Sequence, residues 1–151
     1  MKVIFLDFDG VLNSAAYCRL HPEPGVLIDP TRMELLRRIV EGAGAEIVLS
    51  TSWKEHWEAA PERCDDVGRE INRVFLQHDL KIRDKIPDVE KGRSANIVGW
   101  LAGHKEVTHF VVLDDVPMDE GVLRDHCILT SRLRNGLDEE DVERALRILA
   151  D

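Results

Sequence analysis

Phe5-Leu6-Asp7-Phe8-Asp9-Gly10-Val11 sets two carboxylates two residues apart directly behind a short apolar run. A few consecutive apolar residues closed by a polar one read as a strand buried on both faces, here over residues 3–7. Gly10 permits a tight turn after it. A bare D-x-D is common in solvated loops, so the pattern counts only because of the strand before it and the glycine behind it.

The same signature returns twice. Ile47-Val48-Leu49 runs into Ser50-Thr51-Ser52, and Val111-Val112-Leu113 runs into Asp114-Asp115. A hydroxyl at a strand end, followed by free backbone N–H groups, can hold phosphoryl oxygens. The plainer reading of Ser50 and Thr51 is a turn that caps the next helix. Adjacent carboxylates behind an apolar strand are costly unless a cation neutralises them. Mg²⁺ prefers oxygen ligands and suits an open site with a few carboxylates. Asp119 either supports that site or is simply exposed. Between the second and third strands, Glu90-Lys91-Gly92-Arg93 supplies cations at the start of a helix.

The intervening segments read as helices. Asp29 is an N-cap with Pro30 at the first helical position; Leu35, Leu36, Ile39 and Val40 form the apolar face, and Gly42 and Gly44 stop it. A short helix is expected over 54–57. Val67, Ile71, Val74 and Phe75 mark another, residues 94–101 a further one, and the last opens at Asp138 with an acidic first turn. Residues 80–83 read as a minor strand and 127–129 as a further strand. Residues 13–28, with His21-Pro22-Glu23-Pro24-Gly25, have loop chemistry. Strands alternating with helices predict an α/β fold, a three-layer, Rossmann-like parallel sheet that binds ligands at the carboxyl ends of its strands.

Composition limits the function classes. The 151 residues fit one domain over 1–151, and 44% hydrophobic content is enough for a core. A net charge of −9 argues against non-specific coating of nucleic acid, whose affinity comes largely from neutralised phosphates. It leaves room for a local grip on one terminal phosphate. Cys18, Cys64 and Cys127 form no C-x-x-C pair, which reads as reduced thiols and a cytoplasmic location. No secretory signal or membrane-spanning stretch is expected. The histidines show no zinc-ligand spacing. Trp53 and Trp57 lie four apart; core packing is the simpler account, and stacking on a base or sugar the sharper one.

Taken in order, the motifs resemble the haloacid-dehalogenase superfamily. Asp7, Asp9, Ser50, Lys91, Asp114 and Asp115 occupy that family's positions, with Arg93 and Lys85 as alternatives for the basic one. Leu49-Ser50-Thr51-Ser52-Trp53-Lys54, Trp100-Leu101 and Gly136-Leu137 resemble the branch found as a domain in Swiss Army Knife RNA repair proteins. The resemblance implies a phosphatase. Asp7 would be the nucleophile and Asp9 the acid that protonates the leaving oxygen and then activates water. Mg²⁺ would be held by Asp7, by the backbone carbonyl of Asp9 and by Asp114, with Asp115 beside them. Ser50 would bind phosphoryl oxygens, Lys91 would offset charge, and Phe8, Thr51, Trp53 and Arg93 are assigned to the substrate. Residues 13–28 are too few for a cap domain and imply a short flap over an open, capless site. Such a site suits a phosphorylated substrate such as a polynucleotide end.

Two other classes fit part of the pattern. A phosphoryl-accepting receiver domain also has a parallel sheet, an acceptor Asp, an acidic pair and a Lys, but its acidic pair comes early and its acceptor later. A non-catalytic interaction domain of the same fold would not need every motif position filled, as they are here. The sequence does not separate hydrolysis from phosphoryl transfer.

Overall fold

A computed structural model describes residues 1–119 and 121–151. β1 (Lys2–Leu6) is the centre of a five-stranded sheet with β2 (Ala45–Leu49), β3 (Ile82–Lys85), β4 (His109–Asp114) and β5 (Cys127–Leu129). The order is β3-β2-β1-β4-β5 and every pairing is parallel. Side chains alternate between faces along each strand. Ile4, Leu6, Ile47, Leu49, Val111 and Leu113 point into the larger core, and Val3, Phe5, Val48 and Val112 into the smaller.

Helices cover both faces, giving three layers. α2 (Pro30–Ala43), α3 (Asp66–Gln77) and α5 (Glu139–Ile148) pack on the larger core, and α4 (Arg93–Gly103) on the smaller. The expected start of α2 is present: Asp29 accepts the Thr31 N–H at 2.9 Å, with Pro30 next. Gly44 ends it in the left-handed conformation at φ 65°, while Gly42 lies within the helix. The minor strand expected at 80–83 is shifted to Ile82–Lys85, and the helix expected at 54–57 is a 3-10 turn, Ser52–His56.

One segment departs from its expected loop character. Residues 13–28 contain α1 (Ala15–Leu20), capped by Ser14, which accepts the Tyr17 N–H at 3.2 Å. Tyr17 stacks on His21 and donates its hydroxyl to the Ile28 carbonyl. Six residues are too few for a helical period to show, so capping and the tyrosine clamp decide the conformation.

α5 opens with a reciprocal cap. Asp138 accepts the Asp141 N–H at 2.9 Å, and Asp141 accepts the Asp138 N–H at 3.2 Å. Burial, and then the charge of Asp138, push the Asp141 carboxyl up to about 6 from 3.8. A carboxyl with a raised folded pKa binds more protons in the native state between those values, so stability falls as pH rises through that window. The melting temperature should therefore carry a downward slope between pH 4 and about 6 that Asp141→Asn removes. An unchanged slope in thermal melts would contradict this.

Candidate active site

The sheet register builds the site. Leu6 pairs with Leu49 on one side and with Leu113 on the other. The next residue on each strand is therefore Asp7, Ser50 or Asp114, set side by side at the carboxyl ends. The chain runs outward from β1 to β2 and β3, then restarts on the other side with β4, so the order reverses between β1 and β4. A crevice opens at such a reversal. Here it is a cleft of about 450 Å³ whose walls include Asp7, Asp9, Arg93, Asp115 and Arg132.

Asp7, Asp114 and Asp115 each place a carboxylate oxygen within 4.8 Å of the others. Asp7 Oδ1 accepts the Phe8 N–H at 2.9 Å, and Asp114 Oδ1 accepts the Val116 N–H at 2.9 Å. One guanidinium nitrogen of Arg93 bridges the remaining oxygens, 3.0 Å from Asp7 Oδ2 and 2.5 Å from Asp114 Oδ2. Burial raises the pKa of Asp7 despite Arg93, and raises that of Asp114. Burial and then the charge of Asp7 raise that of Asp115. Arg93 thus bridges two of the three carboxyls, and Asp115 feels the more distant charge of Arg132. Gly10, at φ 78°, makes room for them: a Cβ there would lie 2.3 Å from Asp115 Oδ2.

The donors suit a hard cation. They are carboxylate oxygens, partly buried and undercompensated in charge, with no thiol or imidazole among them. Mg²⁺ would be held by Asp7 and Asp114, with Asp115 adjacent. The Asp9 carboxylate stands outside this cluster.

Ser50 is buried, and its hydroxyl is the one buried side-chain polar atom without a partner among the described residues. A hydroxyl left without a partner can be satisfied by an oxygen of a bound group. Thr51 corrects the expectation placed on it. It is fully buried, its hydroxyl accepts the Trp53 N–H at 3.3 Å as the cap of the 3-10 turn, and its N–H donates to Leu6 O at 3.2 Å. The capping reading therefore holds for Thr51, and the site reading fits Ser50.

Of the three basic candidates, Arg93 is the one brought to the carboxylates. Lys91 is exposed on the turn before α4 and is not among the residues lining the cleft. Asn96 folds that turn onto the helix: its Oδ1 accepts the Val89 and Glu90 N–H groups, and its Nδ2 donates to the Glu90 and Gly92 carbonyls. Gly92, at φ 99°, then turns Arg93 inward as the first residue of α4. Lys85 is bound elsewhere, by the carbonyls of Lys54 and Trp57 and by Glu58.

Asp9 is exposed at the cleft mouth and held by two donors. Asn13 Nδ2 reaches its Oδ1 and the indole Nε1 of Trp53 its Oδ2, both at 3.1 Å. Trp53 packs on the larger core while its N–H holds this carboxylate, and it lines the surface beside Asp9. Trp57 is buried and donates to Asn72. The Phe8 side chain is buried against Phe75, which leaves only its backbone near the cleft. Asp119 is exposed at the cleft wall.

Sequence reasoning missed Asn13, Thr130 and Arg132. Asn13 also accepts the Gly10 N–H at 2.9 Å, and the Thr130 hydroxyl donates to Gly10 O at 2.7 Å. The fixed spacing of Asn13 behind Asp9-Gly10 was the available signal for the first. None existed for the other two, which are more than a hundred residues away.

A family model described as the HAD domain in Swiss Army Knife RNA repair proteins matches residues 3–142. The chain belongs to this family. Membership spans every strand of the sheet, and at family level it supports a haloacid-dehalogenase-type hydrolase. Comparison with curated proteins and with solved structures gave no significant match. No helix among the described residues is long and apolar enough to cross a membrane.

Proposed function

We propose that this chain is a Mg²⁺-dependent phosphomonoesterase that works through an aspartyl-phosphate on Asp7 and acts on phosphorylated polynucleotide ends. The observation that carries the reading is Asp7 flanked by the orphaned Ser50 hydroxyl on one side and by Arg93 with Asp114 on the other. Family membership supports the phosphatase class, and the RNA repair proteins in which the domain occurs support the substrate class.

Asp7 attacks phosphorus, and the bond from phosphorus to the leaving oxygen breaks. Asp9 delivers a proton to that oxygen, then takes one from the water that attacks the phosphoryl group and frees Asp7. Ser50 donates its hydroxyl to a phosphoryl oxygen. Arg93 orients Asp7 and offsets the charge on the transferring group, taking the basic role expected of Lys91. Trp53 and Asn13 hold Asp9 at the mouth, where a leaving group departs. Bound Mg²⁺ supplies screening between the negative nucleophile and the negative substrate.

The test is the leaving group. Asp9→Asn should lower kcat about 10²–10⁴-fold on an alkyl phosphate, with a much smaller deficit on p-nitrophenyl phosphate, whose phenolate departs without a proton. Steady-state rates on the two esters check it. Equal losses on both would remove Asp9 from the acid role.

A further inference from the structure

The turn from Ser131 to Gly136 stands beside the cleft and is anchored to its floor. Thr130, just before it, donates its N–H to the Asp114 carbonyl at 2.9 Å and its hydroxyl to Gly10 O at 2.7 Å. An antiparallel bridge joins Ser131 to Gly136, and the Gly136 N–H donates to Ser131 O at 2.9 Å. The Arg132 carbonyl accepts the Ala15 N–H from the flap at 3.0 Å. Gly136 lies so close to the segment after the catalytic turn that a Cβ would come within 2.6 Å of the Val11 and Asn13 carbonyls. The root of the turn is therefore registered to both acidic loops.

The tip is different. Arg132, Leu133, Arg134 and Asn135 are exposed, Leu133 by 88%. Elsewhere on this acidic surface arginines lie against carboxylates, as Arg37 does on Glu34 and Glu41 and Arg73 on Glu70. Neither Arg132 nor Arg134 has an ion pair among the described residues. Arg132 also lines the cleft, where Arg93 is already engaged by Asp7 and Asp114. The cleft wall thus carries a guanidinium without an ion pair among the described residues, one that the chemistry on the scissile phosphoryl group does not use.

We propose that this turn is the strand-side specificity element of the site. Arg132 grips the phosphodiester next to the terminal phosphate of a single-stranded polynucleotide, and Leu133 packs on the neighbouring sugar or base. The turn is rigid at its root, so the grip fixes where the terminal phosphate falls relative to Asp7. A guanidinium matches phosphate geometry in a fork of N–H donors, and an exposed apolar side chain gains by covering a base face. On a chain of net charge −9 this gives a polyanionic substrate one local cationic contact at the cleft. The proposal takes its substrate class from the phosphatase reading above.

The test measures kcat/KM for a short RNA phosphorylated at its 3′ or 5′ end and for p-nitrophenyl phosphate. Arg132→Ala should lower the ratio of the two at least about tenfold, and the loss should shrink as salt rises. Arg134→Ala, outside the cleft, should lower it much less. Equal losses from both variants would mean diffuse attraction and overturn the proposal. So would an unchanged ratio, or equal loss on RNA and on p-nitrophenyl phosphate. A binding arm separates this inference from its premise: anisotropy of the same RNA on Asp7→Asn, with and without Arg132→Ala. If no phosphate ester is hydrolysed yet Arg132→Ala still weakens RNA binding about tenfold, the phosphatase reading falls and the strand contact stands. If esters are hydrolysed but Arg132→Ala changes neither the ratio nor RNA binding, the strand contact falls and the phosphatase reading stands.

Discussion

Asp7→Asn should abolish turnover, by more than about 10⁴-fold, without unfolding the protein, because a carboxamide is not a nucleophile toward phosphorus. The fold should tolerate it. Asn keeps an acceptor for the Phe8 N–H, and Arg93 keeps Asp114 as partner. Asp7 is buried, and burial already disfavours its charged form, so the neutral isostere removes a desolvation penalty. The melting temperature should accordingly hold or rise while the rate disappears. Acid quenching of the unaltered protein with ³²P-labelled substrate should trap a phosphoryl group that Asp7→Asn lacks. Turnover within about a hundredfold of the original, by the same steady-state assay, would mean that another group attacks.

Removal of divalent metal should be nearly as severe. Asp7, Asp114 and Asp115 converge within 4.8 Å with Arg93 bridging only the first two, and a phosphate monoester adds further negative charge beside them. Without a second cation the attack is strongly repelled, so excess chelator should abolish hydrolysis and Mg²⁺ restore it. Ca²⁺ should compete and inhibit, since its larger, looser coordination shell spoils in-line geometry. Binding has its own readout: Mg²⁺ should raise the melting temperature as a ligand of the native state, and Asp114→Asn should blunt that rise. Full activity in chelator would exclude the metal role of these carboxylates.

Much of the architecture is legible in local signals. Three short apolar runs ending in Asp7, Ser50 and Asp114 are strands because residues buried on both faces leave only that reading. Asp29-Pro30 and Asp138 open helices because their side chains satisfy N–H groups that a helix cannot satisfy itself. Once the strands are parallel, their carboxyl ends share one edge, so the gathering of Asp7, Ser50 and Asp114 follows from sequence order and parallel pairing alone.

Direction and partnership are not local properties. Lys91 and Arg93 are both cations at a helix start, and only the folding of the 89–92 turn onto Asn96, with Gly92 at positive φ, sends Arg93 to the carboxylates and leaves Lys91 in solvent. Ser50 and Thr51 are chemically alike neighbours. One caps the 3-10 turn and the other is left without a partner because successive residues face opposite ways at a strand end. Trp53 finds Asp9 across 44 residues, and Thr130 finds Gly10 across 120. The sequence by itself determined the sheet, its acidic edge and the place of Asp7 on it, since burial and capping act over a few residues. Only the tertiary structure decided which cation, which hydroxyl and which outer arginine meet there, since those contacts depend on side-chain direction and on segments joined by packing, far apart along the chain.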